Sequence, residues 1–187
     1  MIDELLDIPS TVLKWIGGGM ANMEGQDLSG KDFSGVDLSM SNLKNVNFTG
    51  AKLMGTNLSK CNLEGVNFTD ADLQGADVSY SNLKGTTNIE AMAKPGIKLR
   101  GVNLPDVNFS GKAMPGAVFR ASNLARANFS GCDLTGANFT MCNLESVDFT
   151  NADLEFADFS MSNMKNAKID GAKMANIRLA ATNLGTK

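Results

Sequence analysis

Apolar side chains recur at every fifth position of this chain. The series runs Met23, Leu28, Phe33, Leu38, Leu43, Phe48, Leu53, Leu58, Leu63, Phe68, Leu73, Val78 and Leu83, then resumes at Leu99 and Leu104 and continues to Leu184. A helix repeats at about 3.6 residues and a strand at about 2, so neither element produces this step. Two places before each centre stands a small or β-branched residue, as in Val46, Ala51, Thr56, Cys61, Val66, Ala71 and Ala76, and again in Ala127, Cys132, Ala137, Cys142, Val147, Ala152 and Ala157. Both positions are expected to point inward, the small side chain leaving room for the large one. The residue immediately before each centre is usually Asn or Asp and is expected to face water. Glycine is frequent at the fifth place (Gly25, Gly35, Gly55, Gly65, Gly75, Gly136), where a corner with positive φ is expected.

A longer period overlies the short one. Asn22, Asn42, Asn62 and Asn82 stand twenty residues apart, as do Asn103, Asn123, Asn143, Asn163 and Asn183, with a slip of one residue between the two series. Five and twenty fit together if the chain winds as a square coil with one pentad per side. Each turn of such a solenoid buries its apolar face only against its neighbours. Residues twenty apart then stack in columns. Phe48, Phe68, Ile89, Phe109, Phe129, Phe149 and Ile169 fall in one inward column, and Phe119, Phe139 and Phe159 fall in the opposite one. On the asparagine side the residue after each centre alternates in charge: Glu24, Lys44, Glu64, Lys84, and later Glu145, Lys165. Exposed pairs of this kind add only about 0–1 kcal/mol each, so the alternation bears on register more than on stability.

Ala71-Asp72-Leu73-Gln74-Gly75, Ala137-Asn138-Phe139 and Ala152-Asp153-Leu154 match the motif Ala-Asp/Asn-Leu-X-X. On these residues the chain resembles the pentapeptide-repeat family over about residues 21–184. The resemblance implies an all-β fold, a right-handed quadrilateral parallel β-helix of about eight coils. At the strand separation of about 4.8 Å that would make a rod of roughly 38 Å.

The pattern fails in three places. Residues 84–98 contain the slip; strict phase would bury Lys94, which is costly for an unpaired ammonium. A loop is expected there, with a helical turn at Asn88–Ala93 and a return by Ile97. Lys112, Met114 and Val118 are also irregular. Residues 1–20 contain no pentads. Leu5, Ile8, Val12, Leu13, Trp15 and Ile16, with Pro9 and a Gly17-Gly18-Gly19 stop, predict a short helical cap over the open end of a coil that occupies 21–187. At the other end Leu179 and Leu184 sit in the last turn, and the expectation is that the same end of a second molecule covers them, giving a homodimer.

Composition narrows the chemistry. The 187 residues carry 17 basic and 20 acidic side chains, a net charge of -3, no histidine, three cysteines, ten Phe, one Tyr and one Trp. This is not the basic excess of a nucleic-acid-binding domain, and direct nucleic-acid binding is not expected. No stretch has the length of a membrane-spanning helix, and the acidic start lacks the layout of a secretory signal, so no membrane association and a cytoplasmic location are expected. Absence of histidine removes the commonest general base and metal ligand. Cys61, Cys132 and Cys142 fall at inward positions and read as inert packing residues. Asp72, Asp133 and Asp153 share one side, but a flat solvated side is not a pocket. The expectation is a non-enzyme without cofactor or metal.

Charge distribution is what remains. Between Ala127 and Met164 stand Asp133, Glu145, Asp148, Asp153, Glu155 and Asp158 and no Lys or Arg, whereas Lys94, Lys98, Arg100, Lys112, Arg120 and Arg126 precede them. Phe156 is expected at an exposed corner inside the acidic zone, with Met141 and Met161 stacked at the next corner. Exposed aromatic and Met side chains among charges fit a protein-binding spot. Phe156, Met141, Met161, Asp153, Glu155 and Asp158 are therefore the candidate protein-binding residues, and Leu179 and Leu184 the candidate dimer end. Non-enzymatic scaffolding of a protein partner is the leading expectation. The family resemblance adds a second: binding of DNA gyrase or another topoisomerase as a mimic of duplex DNA, with protection against quinolones or toxins.

Overall fold

The computed structural model describes residues 20–185, and the helical cap expected over residues 1–20 lies outside them save for Met20. Contacts divide the chain into two units, Met1–Met92 and Ala93–Lys187. Within each, the backbone is a parallel β-helix whose register is twenty residues. Asn22 bridges Asn42, Asp27 bridges Asn47, Asp32 bridges Lys52 and Asp37 bridges Asn57, and the same four columns continue to Thr87. In the second unit the columns start at Lys98↔Val118 and end at Asn163↔Asn183.

Each bridge is one residue long because a turn follows it at once. The amide of Ala51 donates to the Phe48 carbonyl at 2.9 Å around Gly50, whose φ is 64°. A left-handed residue in third place is the mark of a type II turn. Glycine takes many of these corners. Others are taken by Met40, Lys60, Tyr80, Arg126, Met141, Phe156 and Met161, although a left-handed non-glycine residue costs roughly 1–2 kcal/mol. Coil-to-coil bonding outweighs that cost. Leu43 donates to the Asn62 carbonyl at 2.9 Å and Asn62 donates back to the Ser41 carbonyl at 3.0 Å, and this exchange repeats along the columns.

The asparagine columns are hydrogen-bonded ladders. Asn62 Nδ2 donates to Asn42 Oδ1 at 3.2 Å, Asn143 Nδ2 to Asn123 Oδ1 at 3.1 Å and Asn163 Nδ2 to Asn143 Oδ1 at 3.2 Å. Each Oδ1 also accepts from the amide two residues on, as from Glu145 at 3.3 Å. An amide side chain has a donor for the rung below and an acceptor for the rung above, which a carboxylate lacks. Asn143→Asp is accordingly expected to destabilise by about 1–2 kcal/mol through the lost donor to Asn123, read as a lowered denaturation midpoint relative to Asn143→Gln.

The inward positions hold as expected: Val46, Val66, Ala76, Ala127, Ala137 and Ala157 are fully buried. In the second unit the Phe columns form one zipper rather than two separate stacks. Phe119, Phe139 and Phe159 stack at 4.9 and 5.1 Å, Phe129 stacks on Phe149 at 5.5 Å, and edge-to-face contacts of 5.4–5.7 Å tie the two columns across the core. Two members of the expected column depart from it. Ile89 is only half-buried, within the 3-10 helix Ile89–Met92, and Ile169 is 41% exposed in the last described coil.

The irregular segment is shorter than the 84–98 expected from the phase slip. Asn82 and Thr87 still bridge the coil below, and Lys98 already bridges Val118. Departure begins at Asn88, which strict spacing would place at an apolar centre; it is instead exposed, with φ 53°. The chain then turns through Ile89–Met92, burying Met92 and Ala93 and leaving Lys94 half-exposed. Met114 occupies a buried centre despite its irregular pentad, while Lys112, at a small-residue position, is exposed.

Candidate protein-binding face

One side of the second unit carries most of the candidate residues. Its bridge column is Lys98, Val118, Asn138, Asp158 and Arg178, and its bounding corners include Phe156 before it and Met141 and Met161 after it. Phe156 is held at φ 61° by its amide bond to the Ala175 carbonyl (2.9 Å) and by the turn that Ala157 closes on Leu154 (3.0 Å). The ring is 59% exposed. Met141 and Met161 have φ 61° and 62° and are likewise exposed. Between these corners lie Thr140, whose hydroxyl donates to Asn138 Oδ1 at 2.8 Å, and Ser160, whose amide donates to Asp158 Oδ1 at 2.9 Å. Arg120 reaches across to the Met141 sulfur at 3.7 Å.

Phe156, Met141, Met161 and Asp158 thus frame a single side. Asp153 and Glu155 belong to the preceding side, beyond the Phe156 corner. The acidic zone is also not unpaired. Lys168 lies 3.8 Å from Asp148, Lys173 2.8 Å from Asp153 and Arg178 3.8 Å from Asp158, each cation supplied by the next coil. The twenty-residue rule that stacked the Phe rings would have found these pairs if applied to outward residues beyond Met164. It would equally have found Met40 and Tyr80, exposed corner residues of the first unit.

The hydroxyl and amide of Thr150, helped by Lys168, hold the Asp148 carboxyl below its ordinary value, and Lys173 does the same for Asp153. Burial pushes Asp158 up, but Ser160 and Arg178 outweigh it and leave that carboxyl lowered too. Groups whose pKa is lowered on folding stabilise the fold above the ordinary carboxyl value of 3.8, and that contribution is lost as pH falls through the lowered values. The last coil is expected to loosen first on acidification, seen as lower amide protection at Lys168, Lys173 and Arg178 below pH 3.8 than at neutral pH once the intrinsic pH dependence of exchange is divided out.

The cysteines are packing residues. All three are buried, and their thiols donate to the carbonyls of Leu38 (3.0 Å), Phe109 (2.9 Å) and Phe119 (3.0 Å). Burial pushes Cys61 up to about 11 and Cys142 up to about 12, and raises Cys132. Native protein is expected to give no thiol reaction with an aromatic disulfide reagent at neutral pH and full reaction after denaturation. Among the described residues no group of three His, Cys, Asp or Glu is placed to hold a metal ion.

A coil of four bridge columns with a left-handed corner every fifth residue defines a pentad-built β-helix. The family model for the pentapeptide repeat region matches residues 26–90 and 102–179, and the chain belongs to the pentapeptide-repeat family. Among solved structures it is similar to HetL, a pentapeptide repeat protein involved in heterocyst differentiation regulation from the cyanobacterium Nostoc sp. strain PCC 7120, at 21% identity over 89% of this chain and 88% of that one, TM-score 0.47. It is also similar to trypsin-treated QnrB1, a plasmid-mediated fluoroquinolone resistance protein (21% identity, 86% and 90% coverage, TM-score 0.47). A third is a pentapeptide repeat protein from the Arabidopsis thaliana thylakoid lumen (27% identity, 74% of each chain, TM-score 0.38). No curated protein matches the chain.

Proposed function

We propose that the protein is a non-enzymatic scaffold that binds another protein through the side framed by Phe156, Met141 and Met161. The observation that carries this reading is the clustering of three exposed apolar corner residues, Phe156, Met141 and Met161, around one side. Phe156 is 59% exposed at a left-handed corner, in a class of position that glycine fills at Gly116 and Gly136. A bulky residue at positive φ carries strain, a cost shared by the corners at Met40 and Tyr80, and the aromatic ring of Phe156 adds to it an apolar contact surface beside two Met side chains. Aromatic and Met side chains beside Arg120 and the Asp158–Arg178 pair have the composition of an interface core with a polar rim. The test is quantitative capture of partners by the native chain and by Phe156→Ala. The reading predicts loss of a specific partner with Phe156→Ala, and an unchanged partner set would overturn it.

The alternative, a DNA-mimicking inhibitor or protector of a topoisomerase, requires an unbalanced acidic face. Pairing of Asp148, Asp153 and Asp158 with cations weighs against it. Gyrase supercoiling with and without quinolone decides the matter, since a change at micromolar protein would favour this alternative. Self-association through the C-terminal end is a second reading of its own, supported by Leu179 at 38% and Leu184 at 60% exposure in the last described coil.

A further inference from the structure

The side framed by Phe156, Met141 and Met161 lies wholly within the unit Ala93–Lys187 and changes character along its length. On its first two coils, residues 96–101 and 116–121, the charged side chains are Lys98, Arg100 and Arg120. All three are exposed, and neither stretch contains Asp or Glu. The corners there are small, Gly96 and Gly116 on one edge and Gly101 and Ala121 on the other. On the next two coils the arrangement inverts. The positions that held Arg100 and Arg120 become Thr140 and Ser160, and three of the four corners become bulky, with Met141 at 46%, Phe156 at 59% and Met161 at 63% exposure. A cationic strip thus runs directly into a strip of small polar residues between apolar rims. Arg120 joins the two, its Nη2 donating to the Met141 sulfur at 3.7 Å.

The apolar half can be covered at little polar cost. The Thr140 hydroxyl donates to Asn138 Oδ1 at 2.8 Å and the Ser160 amide to Asp158 Oδ1 at 2.9 Å. A segment lying over these atoms leaves their bonds intact, which avoids the penalty of about 1–3 kcal/mol for each stranded group. The carboxylate on this half, Asp158, has Arg178 of the next coil 3.8 Å away, so it does not face an incoming anion as an unpaired charge. The cationic half carries two arginines one above the other, and the guanidinium fork matches a carboxylate.

We propose that this side binds an extended acidic segment of a partner protein. Its carboxylates meet Lys98, Arg100 and Arg120, and an apolar anchor side chain seats between Phe156 and the two methionines. This rests on the reading of the side as a protein-binding face and specifies the chemistry of what it binds. The geometry also sets a spacing. Coils step by about 4.8 Å, so Arg120 and Arg100 stand two and three steps from the Phe156 coil, roughly 10 and 14 Å. An extended chain rises ~3.3 Å per residue, which puts the acidic residues about three to four positions from the anchor. A nucleic acid would satisfy the cations but would set phosphate and sugar against the apolar rims, and a chain of net charge -3 lacks the basic excess such a ligand calls for.

Selection of binders to the full 187-residue protein from a displayed library of random peptides tests this. Peptides of about twelve residues span the side when extended. Enriched peptides are expected to carry Asp or Glu about three to four positions from a Leu, Phe or Trp. Their affinity, read by fluorescence anisotropy, is expected to fall at least about tenfold with R100E/R120E and with Phe156→Ala, and to weaken as salt rises. K112E/R126E changes the net charge equally. Lys112 precedes the Ala113 column and Arg126 follows the Asn123 column, both on other sides, so this variant is expected to bind like the native chain. The altered residues are exposed, and melting curves verify that every variant is folded. Peptides that need Phe156 but carry no acidic residue, or that bind R100E/R120E as tightly as the native chain, would overturn the acidic segment and leave the binding face standing. Peptides indifferent to Phe156→Ala, or no enrichment over a support without protein, would overturn both. Binding of a short DNA duplex that R100E/R120E abolishes, with no acidic peptide enriched, would overturn the proposal in favour of a nucleic acid.

Discussion

Phe139→Ala is expected to cost about 3–5 kcal/mol, the range for truncating a fully buried aromatic residue. The ring is at the centre of the Phe zipper. It stacks on Phe119 at 4.9 Å and Phe159 at 5.1 Å, and meets Phe129 and Phe149 edge to face at 5.7 and 5.5 Å. A coil cannot collapse into the hole, because the bridge residues on every side are fixed by hydrogen bonds to the coils above and below. Asn138, immediately before Phe139, donates to the Ala117 carbonyl at 2.9 Å. Phe139→Leu retains most of the volume and is expected to cost less than about 1.5 kcal/mol. The check is a melting curve for both variants, with the alanine variant lower by on the order of 10 °C. In a repeat protein the loss should be felt first by neighbouring coils, so amide exchange should accelerate in residues 109–159 before it does so in residues 20–87.

Ser122→Ala is the second large effect, about 1–3 kcal/mol. The Ser122 hydroxyl is buried, donates to the Leu99 carbonyl at 2.6 Å and accepts from the Val102 amide at 3.1 Å. Removing it strands an amide that is itself buried, since Val102 is 2% exposed. Ser81 plays the same part for the Cys61 amide and the Leu58 carbonyl. Cysteine fills this column at Cys61 and Cys142, its thiol donating to the Leu38 and Phe119 carbonyls while offering the Ser41 and Ser122 amides only a weak sulfur acceptor. Ser122→Cys is therefore expected to fall between serine and alanine in a denaturant titration, and equal loss for both variants would argue against the buried amide as the cause.

What the sequence could reveal divides along the same line as these two predictions. Inward residues were legible because a pentad has only two of them, so Phe139, Ala137 and Cys142 could be placed from spacing alone. The Ser122 bond was not, because the column shows that serine and cysteine share a position but not that a backbone amide turns toward it. The corner at Phe156 was legible as exposed and, from the phase it shares with Gly136, as a position of positive φ; that it shares one side with Met141 and Met161 was legible only once the coil was closed. Asn88 explains where the loop begins, within the expected stretch, and the helical turn at Ile89–Met92 falls inside the expected Asn88–Ala93. Spacing located the slip, and the first polar residue at an apolar centre decides where the coil is left. The acidic zone was misread for a different reason. Its cations, Lys168, Lys173 and Arg178, are a full turn away in sequence and adjacent only in the folded coil.

Columns hold this protein together and its corners are free to vary; under the proposed function the corner at Phe156 serves recognition at the expense of the fold. Phe156→Gly tests that most directly, because glycine relieves the left-handed strain of roughly 1–2 kcal/mol while removing the ring. Partner capture by this variant, with its melting temperature verified as unchanged or raised, is predicted to lose the specific partner that the native chain retains. A Phe156→Gly protein that captures the same partner as strongly as the native chain would contradict the account.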